Sequence, residues 1–163
     1  MFREMRRKKQ LLSKEDTVKV LERCTNGIMA CLGDDDYPYA VPFNYVYYND
    51  KIYFHSAKSG HKVDAIIKNP KVSFAVVDKD KIVSEEYTSY FSSVIAFGKA
   101  RIVEGDEWND SFMALVEKYS GDMPNDAKHS KVEGCTESLI VAIDVEYITG
   151  KVASELLDKK DKK

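Results

Sequence analysis

Cysteine, proline and tryptophan are scarce in this chain of 163 residues, with three, four and one respectively. Cys24, Cys31 and Cys135 are odd in number, show no CxxC or CxH spacing and lie in or beside apolar segments. That pattern argues against a disulfide framework and a zinc site and predicts reduced core thiols, with no metal. No apolar run approaches the ~20 residues that span a bilayer, and the opening "MFREMRRKK" is basic where a signal peptide would be apolar. We expect a cytoplasmic protein with no membrane partner. Charge of one sign is missing as well: 25 basic residues against 27 acidic ones leave a net charge of −2. A nucleic-acid partner is therefore not expected, and an oligonucleotide-binding barrel using the basic start is the weakest reading. Arg3, Arg6, Arg7, Lys8 and Lys9, like the closing "LLDKKDKK", read as solvated ends, with phosphate contacts as the alternative. Walker and G-x-S-x-G loops are also absent, so nothing selects a nucleotide hydrolase or a serine nucleophile.

What is present fits one domain over residues 1–163, with 44% hydrophobic residues and enough chain for a core without staples. Ser13 and Asp16 form the S-x-x-[DE] start of a short amphipathic helix that ends at "TNG". Strands follow over Ile28–Leu32, over Tyr39–Tyr48 and at "IYFHS", and then a helix carries Val63, Ile66 and Ile67 on one face until Asn69-Pro70. Lys71–Asp78 and the long segment Thr88–Glu104 read as strands, the latter with a bulge or bend at Gly98. Asp106–Tyr119 is an amphipathic helix whose Trp108 belongs to the core. A polar linker, partly helical, leads to the last strand, "LIVAIDVEYITGKVA". Six strands without regular βαβ alternation predict an antiparallel β-barrel decorated by helices.

The chemistry gathers between Tyr39 and Lys62. The helix after "HSAKSG" opens with His61 and Lys62, although the positive end of a helix dipole favours acids there. Free backbone amides, the hydroxyls of Ser56 and Ser59, and the ammonium groups of Lys62 and Lys58 could surround a phosphate. The plain alternative is that Ser59 is a helix cap and Lys62 a surface charge. His55 and His61 lie within seven positions, but no carboxylate or cysteine accompanies them at metal-ligand spacing. Few side chains suited to acid, base or nucleophile work are evident, as expected where a cofactor does the chemistry and the protein binds and orients it.

The blocks "FREMRRKKQ", "YPYAVPFNYVYYNDKIYFHSAKSGHKVDAIIKNPKVSF", "YFSSVIAFGKARIV" and "ITGK" resemble the flavin-binding split barrels related to pyridoxamine 5′-phosphate oxidase, in particular the 5-nitroimidazole resistance (Nim-type) branch. The resemblance implies an antiparallel, six-stranded split β-barrel that binds FMN. It implies flavin contacts at Val41, Pro42, Phe43 and Asn44, and a phosphate site drawn from His55, Ser56, Lys58, Ser59, Gly60, His61 and Lys62, with Ser93 contributing from the long strand. No side chain need be a catalytic acid, although His61 or a nearby Tyr could supply a proton. His-Lys stands where the oxidase has Arg-Lys, which argues against pyridoxamine phosphate oxidation. The family further implies a homodimer with flavin at the subunit interface, and an oxidoreductase passing electrons from reduced flavin to a small planar acceptor such as a nitroimidazole. A non-catalytic flavin- or haem-binding sensor or carrier is the alternative.

Overall fold

Strands that are apolar on both parities must be covered on both faces, and those that alternate are covered on one. In the computed structural model, which describes residues 2–158, seven strands pair antiparallel in the order β2-β1-β5-β6-β7-β4-β3. They are β1 (Asn26–Leu32), β2 (Pro38–Asn44), β3 (Val46–Tyr48), β4 (Lys51–Ser56), β5 (Lys71–Val83), β6 (Thr88–Val103) and β7 (Leu139–Val152). The helices are α1 (Lys14–Arg23), α2 (His61–Lys68), α3 (Gly105–Ser120), α4 (Asn125–Glu133) and α5 (Ser154–Asp158). The charged tail beyond residue 158 lies outside the described residues. Among those described, no helix is long and apolar enough to cross a membrane.

Seven strands replace the expected six because the segment Tyr39–Tyr48 is divided at Tyr45. β2 and β3 stand at opposite edges of the sheet, yet one residue separates them in the chain. The sheet therefore curls until its two edges meet, a barrel split along that seam. Tyr45 is fully buried there. Its hydroxyl donates to Leu21 O at 2.7 Å, its ring meets Phe74 edge-on at 4.8 Å, and Lys118 Nζ lies 4.3 Å from the ring centroid. From α3, the Tyr119 hydroxyl accepts from the Tyr45 amide at 3.0 Å and lies 2.7 Å from the Tyr45 carbonyl and 2.6 Å from Thr25 O, both acceptors for its single proton.

Inside the barrel Met29, Ile52, Phe54, Phe74, Val94, Val141 and Ile143 form the main core, and α1 closes it with Val20 and Leu21. Ser13 caps α1 as expected, accepting from the Asp16 amide at 3.0 Å. A second apolar layer of Tyr53, Phe112, Leu115, Val132, Ile140 and Ala142 lies under α3 and α4, which explains why "LIVAI" is apolar without a break. Trp108 belongs to this layer, edge-on to Phe112 and donating to Ser138 O at 3.0 Å. The long β6–β7 ladder shifts register at Phe97/Gly98, where the bulge was expected. A Cβ at Gly98 would lie 2.2 Å from Asp144 O, so only glycine permits that approach. Cys31 is buried, Cys24 and Cys135 are half-buried, and all three are free thiols.

Arg101 ties α3 to β6 and β7 on the outer side of the sheet. Its guanidinium holds both Glu107 oxygens at 2.8 Å and Asp144 at 2.7 and 3.2 Å, and Tyr53 donates to Glu107 at 2.9 Å. The Arg101 hydrogen bonds hold the Glu107 carboxyl down to about 2.

Three outcomes follow from these contacts. Tyr45→Ala costs about 3–5 kcal/mol of unfolding free energy by the usual aromatic-to-alanine range, and Tyr119→Phe, which strands the buried Tyr45 amide, costs about 1–3 kcal/mol, both read by urea unfolding. Because the folded carboxyl of Glu107 is depressed to about 2, its contribution is full above its ordinary range and fades as pH falls toward that value. Between roughly pH 5 and pH 2 the wild type should therefore lose stability more steeply than Glu107→Gln, as read from unfolding midpoints across that range.

Candidate functional site

β2 is an edge strand, paired with β1 on one side only, so its other backbone edge is open to a ligand. Alternation sends Val41 and Phe43 inward and leaves Pro42 and Asn44 exposed on the outer side. Phe43 stacks on Phe54 of β4 at 4.0 Å. The Lys62 ammonium lies over this pair, 5.4 Å from the Phe43 centroid and 5.2 Å from that of Phe54. Burial pushes the Lys62 ammonium below its ordinary value, and no acidic side chain pairs with it among the described residues.

α2 begins beside this lysine because Gly60 takes φ +129°, a conformation other residues avoid. Gly60 is the N-cap, so Ser59 does not cap the helix, and no side chain does. The Gly60 carbonyl accepts from Val63 and Asp64, leaving the His61 and Lys62 amides without acceptors among the described residues. Ser56 is buried at the end of β4, two positions along the same inward face from Phe54. Amides, a hydroxyl and a half-buried ammonium thus collect at one helix start.

His61 is held firmly beside them. Its ring stacks on Tyr39 at 4.2 Å and 15°, and its Nε2 accepts from the Asp34 amide at 3.2 Å. That acceptor role places the ring proton on Nδ1. A Cβ at Gly33 would come within 2.8 Å of His61 Nε2, so the turn before β2 is shaped around the imidazole.

Other residues expected at the site are elsewhere. Lys58 is drawn away into an ion pair with Glu137. His55 has the opposite parity to Ser56 and faces the cleft under α3 and α4, where Asn44 also lies. Ser93 sits on the outer face of β6 in a groove with Arg3 and Lys151, away from α2. Tyr39, Phe54, Gly33 and Asp34 were not singled out from the sequence. For Tyr39 the signal was available, since it shares the parity of Val41 and Phe43 on one strand.

With this geometry in view, comparison with solved structures identifies the fold. A conserved hypothetical protein from Mycobacterium tuberculosis superposes with a TM-score of 0.80 at 19% identity, covering 95% of this chain and 93% of its own. A protein from Bacteroides thetaiotaomicron, provisionally described as a 5-nitroimidazole antibiotic resistance protein, matches with a TM-score of 0.74 at 22% identity, covering 87% and 86%. The FAD and haem binding protein of Mycobacterium smegmatis gives 0.70 at 16% identity, covering 90% and 74%. No curated protein sequence matches. The family model described as pyridoxamine 5′-phosphate oxidase matches residues 13–152, nearly the whole barrel, and the chain belongs to that family.

Proposed function

We propose that this protein is an FMN-dependent oxidoreductase, a homodimer that passes electrons from reduced flavin to a small planar acceptor of the nitroimidazole type. One observation carries the flavin phosphate assignment. Burial pushes two lysine ammonium groups, those of Lys118 and Lys62, below their ordinary value: Lys118 donates to Cys24 O at 2.6 Å, whereas Lys62 has only aromatic rings beside it among the described residues. A half-buried ammonium without a counter-charge is costly unless an anion completes it. The open amides of α2 and the Ser56 hydroxyl supply the donors that a phosphate takes. His61 Nδ1–H adds a donor whose orientation is set by Tyr39 and Asp34.

Bound FMN supplies the hydride and electron chemistry. The chain's own part is to hold the phosphate at α2, present the open backbone edge of β2 to the ring, and keep Phe43 and Phe54 packed beneath Lys62. His61 then serves as a phosphate donor more readily than as a proton source, because its Nε2 is engaged. That engagement counts against His61 as a haem ligand and leaves the haem alternative to His55. Homodimerisation is supported by the outer face of β1, β5 and β6. There Ile28, Ala75 and Ile95 lie in register, with Val77 and Phe97 nearby, and Ile28, Val77 and Ile95 are 43%, 66% and 44% exposed. Such an apolar face marks an interaction surface, and it carries Ser93, whose cofactor role would then be exercised across the interface. Among the exposed aromatic side chains Tyr87 stands out at 98% exposed, whereas Tyr45 is consumed by the chain's own core.

Lys62→Glu should weaken FMN binding at least about 30-fold, and Lys62→Gln about tenfold, by the worth of a charge-assisted contact. Flavin fluorescence titration reads both, and unchanged affinity would contradict the phosphate assignment. Anaerobic incubation of the FMN-loaded protein with a reductant and a nitroimidazole should bleach the nitro absorbance. A persistent nitro band would remove that acceptor.

A further inference from the structure

The α3–α4 pair does not lie flush on the sheet. Between it and the outer side of β4 is a cavity of about 510 Å³, the size of a small-ligand site. Phe112, Leu115 and Val116 of α3 and Met123 beyond it provide an apolar lining, and Met123 remains 49% exposed.

The polar lining is selective in sign. No carboxylate lines the cavity, whereas Lys128, Lys131 and His55 do. Lys128 is neutralised by Glu117 at 2.8 Å. The Asn44 amide and the Tyr119 hydroxyl are engaged with Thr25 O at 2.8 and 2.6 Å. That leaves Lys131 without an ion-pair partner and His55 without a hydrogen bond among the described residues, both of them water-accessible side chains on the lining. An apolar chamber with one uncompensated ammonium and one open imidazole favours a ligand with an apolar body and a single negative charge. A neutral body forgoes the charge-assisted contact, and a cation meets Lys131 with like charge.

We propose that this cavity binds a small apolar monocarboxylic acid, its carboxylate at Lys131 and His55 and its hydrocarbon body against Phe112, Leu115 and Met123. Occupation does not depend on bound flavin, because His55 and Ser56 point to opposite faces of β4.

Calorimetric titration of the full chain with naphthoic acid, naphthylmethanol and naphthylmethylamine separates charge from shape. The acid should bind one per chain and at least about tenfold tighter than the alcohol, with the amine weakest. Lys131→Gln should shrink the acid's advantage to about threefold or less, and Lys131→Glu should reverse the order in favour of the amine. Ala127→Trp, which fills the chamber from α4, should abolish binding of all three while FMN titration stays unchanged. Equal affinity for acid and alcohol, no binding of the acid, or acid binding indifferent to the Lys131 changes would overturn the proposal.

Discussion

Tyr45 ties the two edges of the sheet to each other and both to the helices. Its backbone is the single link between β2 and β3, its hydroxyl reaches the end of α1, and its amide and carbonyl are both held by Tyr119 of α3. A split barrel has no closing ladder at its seam, so something other than strand pairing must fix the distance between its edges. Here a buried aromatic side chain with satisfied polar groups does so. The position of Phe43 on Phe54, and with it the seat of Lys62, follows from that closure.

Charge placement separates scaffold from site. Arg101 and Lys118 are half-buried and Lys128 is buried, and each is completed within the chain, by carboxylates or by helix-end carbonyls. Such completed groups hold elements together, and losing one partner leaves the other stranded. Lys62 and Lys131 follow the other pattern. The first lies over two aromatic rings and the second, itself exposed, lines an apolar cleft, and neither has an ion-pair partner among the described residues. The two lie on opposite sides of β4, so that strand would divide the proposed phosphate site from the proposed organic-acid site.

Much of this was legible in the sequence. The Ser13 cap, the short helix after "SAKSG" and the kinked long strand at Gly98 all carry local signals, and the structure has each of them. The break at Tyr45 carries none, because both halves of Tyr39–Tyr48 favour strand and only the pull of Leu21 O and Phe74 on one ring divides them. α4 is polar nearly all round, so periodicity could not separate it from a loop, and it is fixed by tertiary contacts through Lys128 and Val132. At the site, residues within one loop were grouped by proximity in sequence. In the structure Lys62 lies over Phe54, whose inward face Ser56 shares, whereas Lys58 pairs with Glu137, 79 residues away, and strand parity turns His55 to the other face.

The central claim is that a phosphate, more than the flavin ring, completes the Lys62 site. Titrating the apoprotein with FMN and with riboflavin, which lacks the phosphate, tests it most directly. FMN should bind at least about a hundredfold more tightly, the worth of two charge-assisted hydrogen bonds. Equal affinity for the two flavins would contradict it.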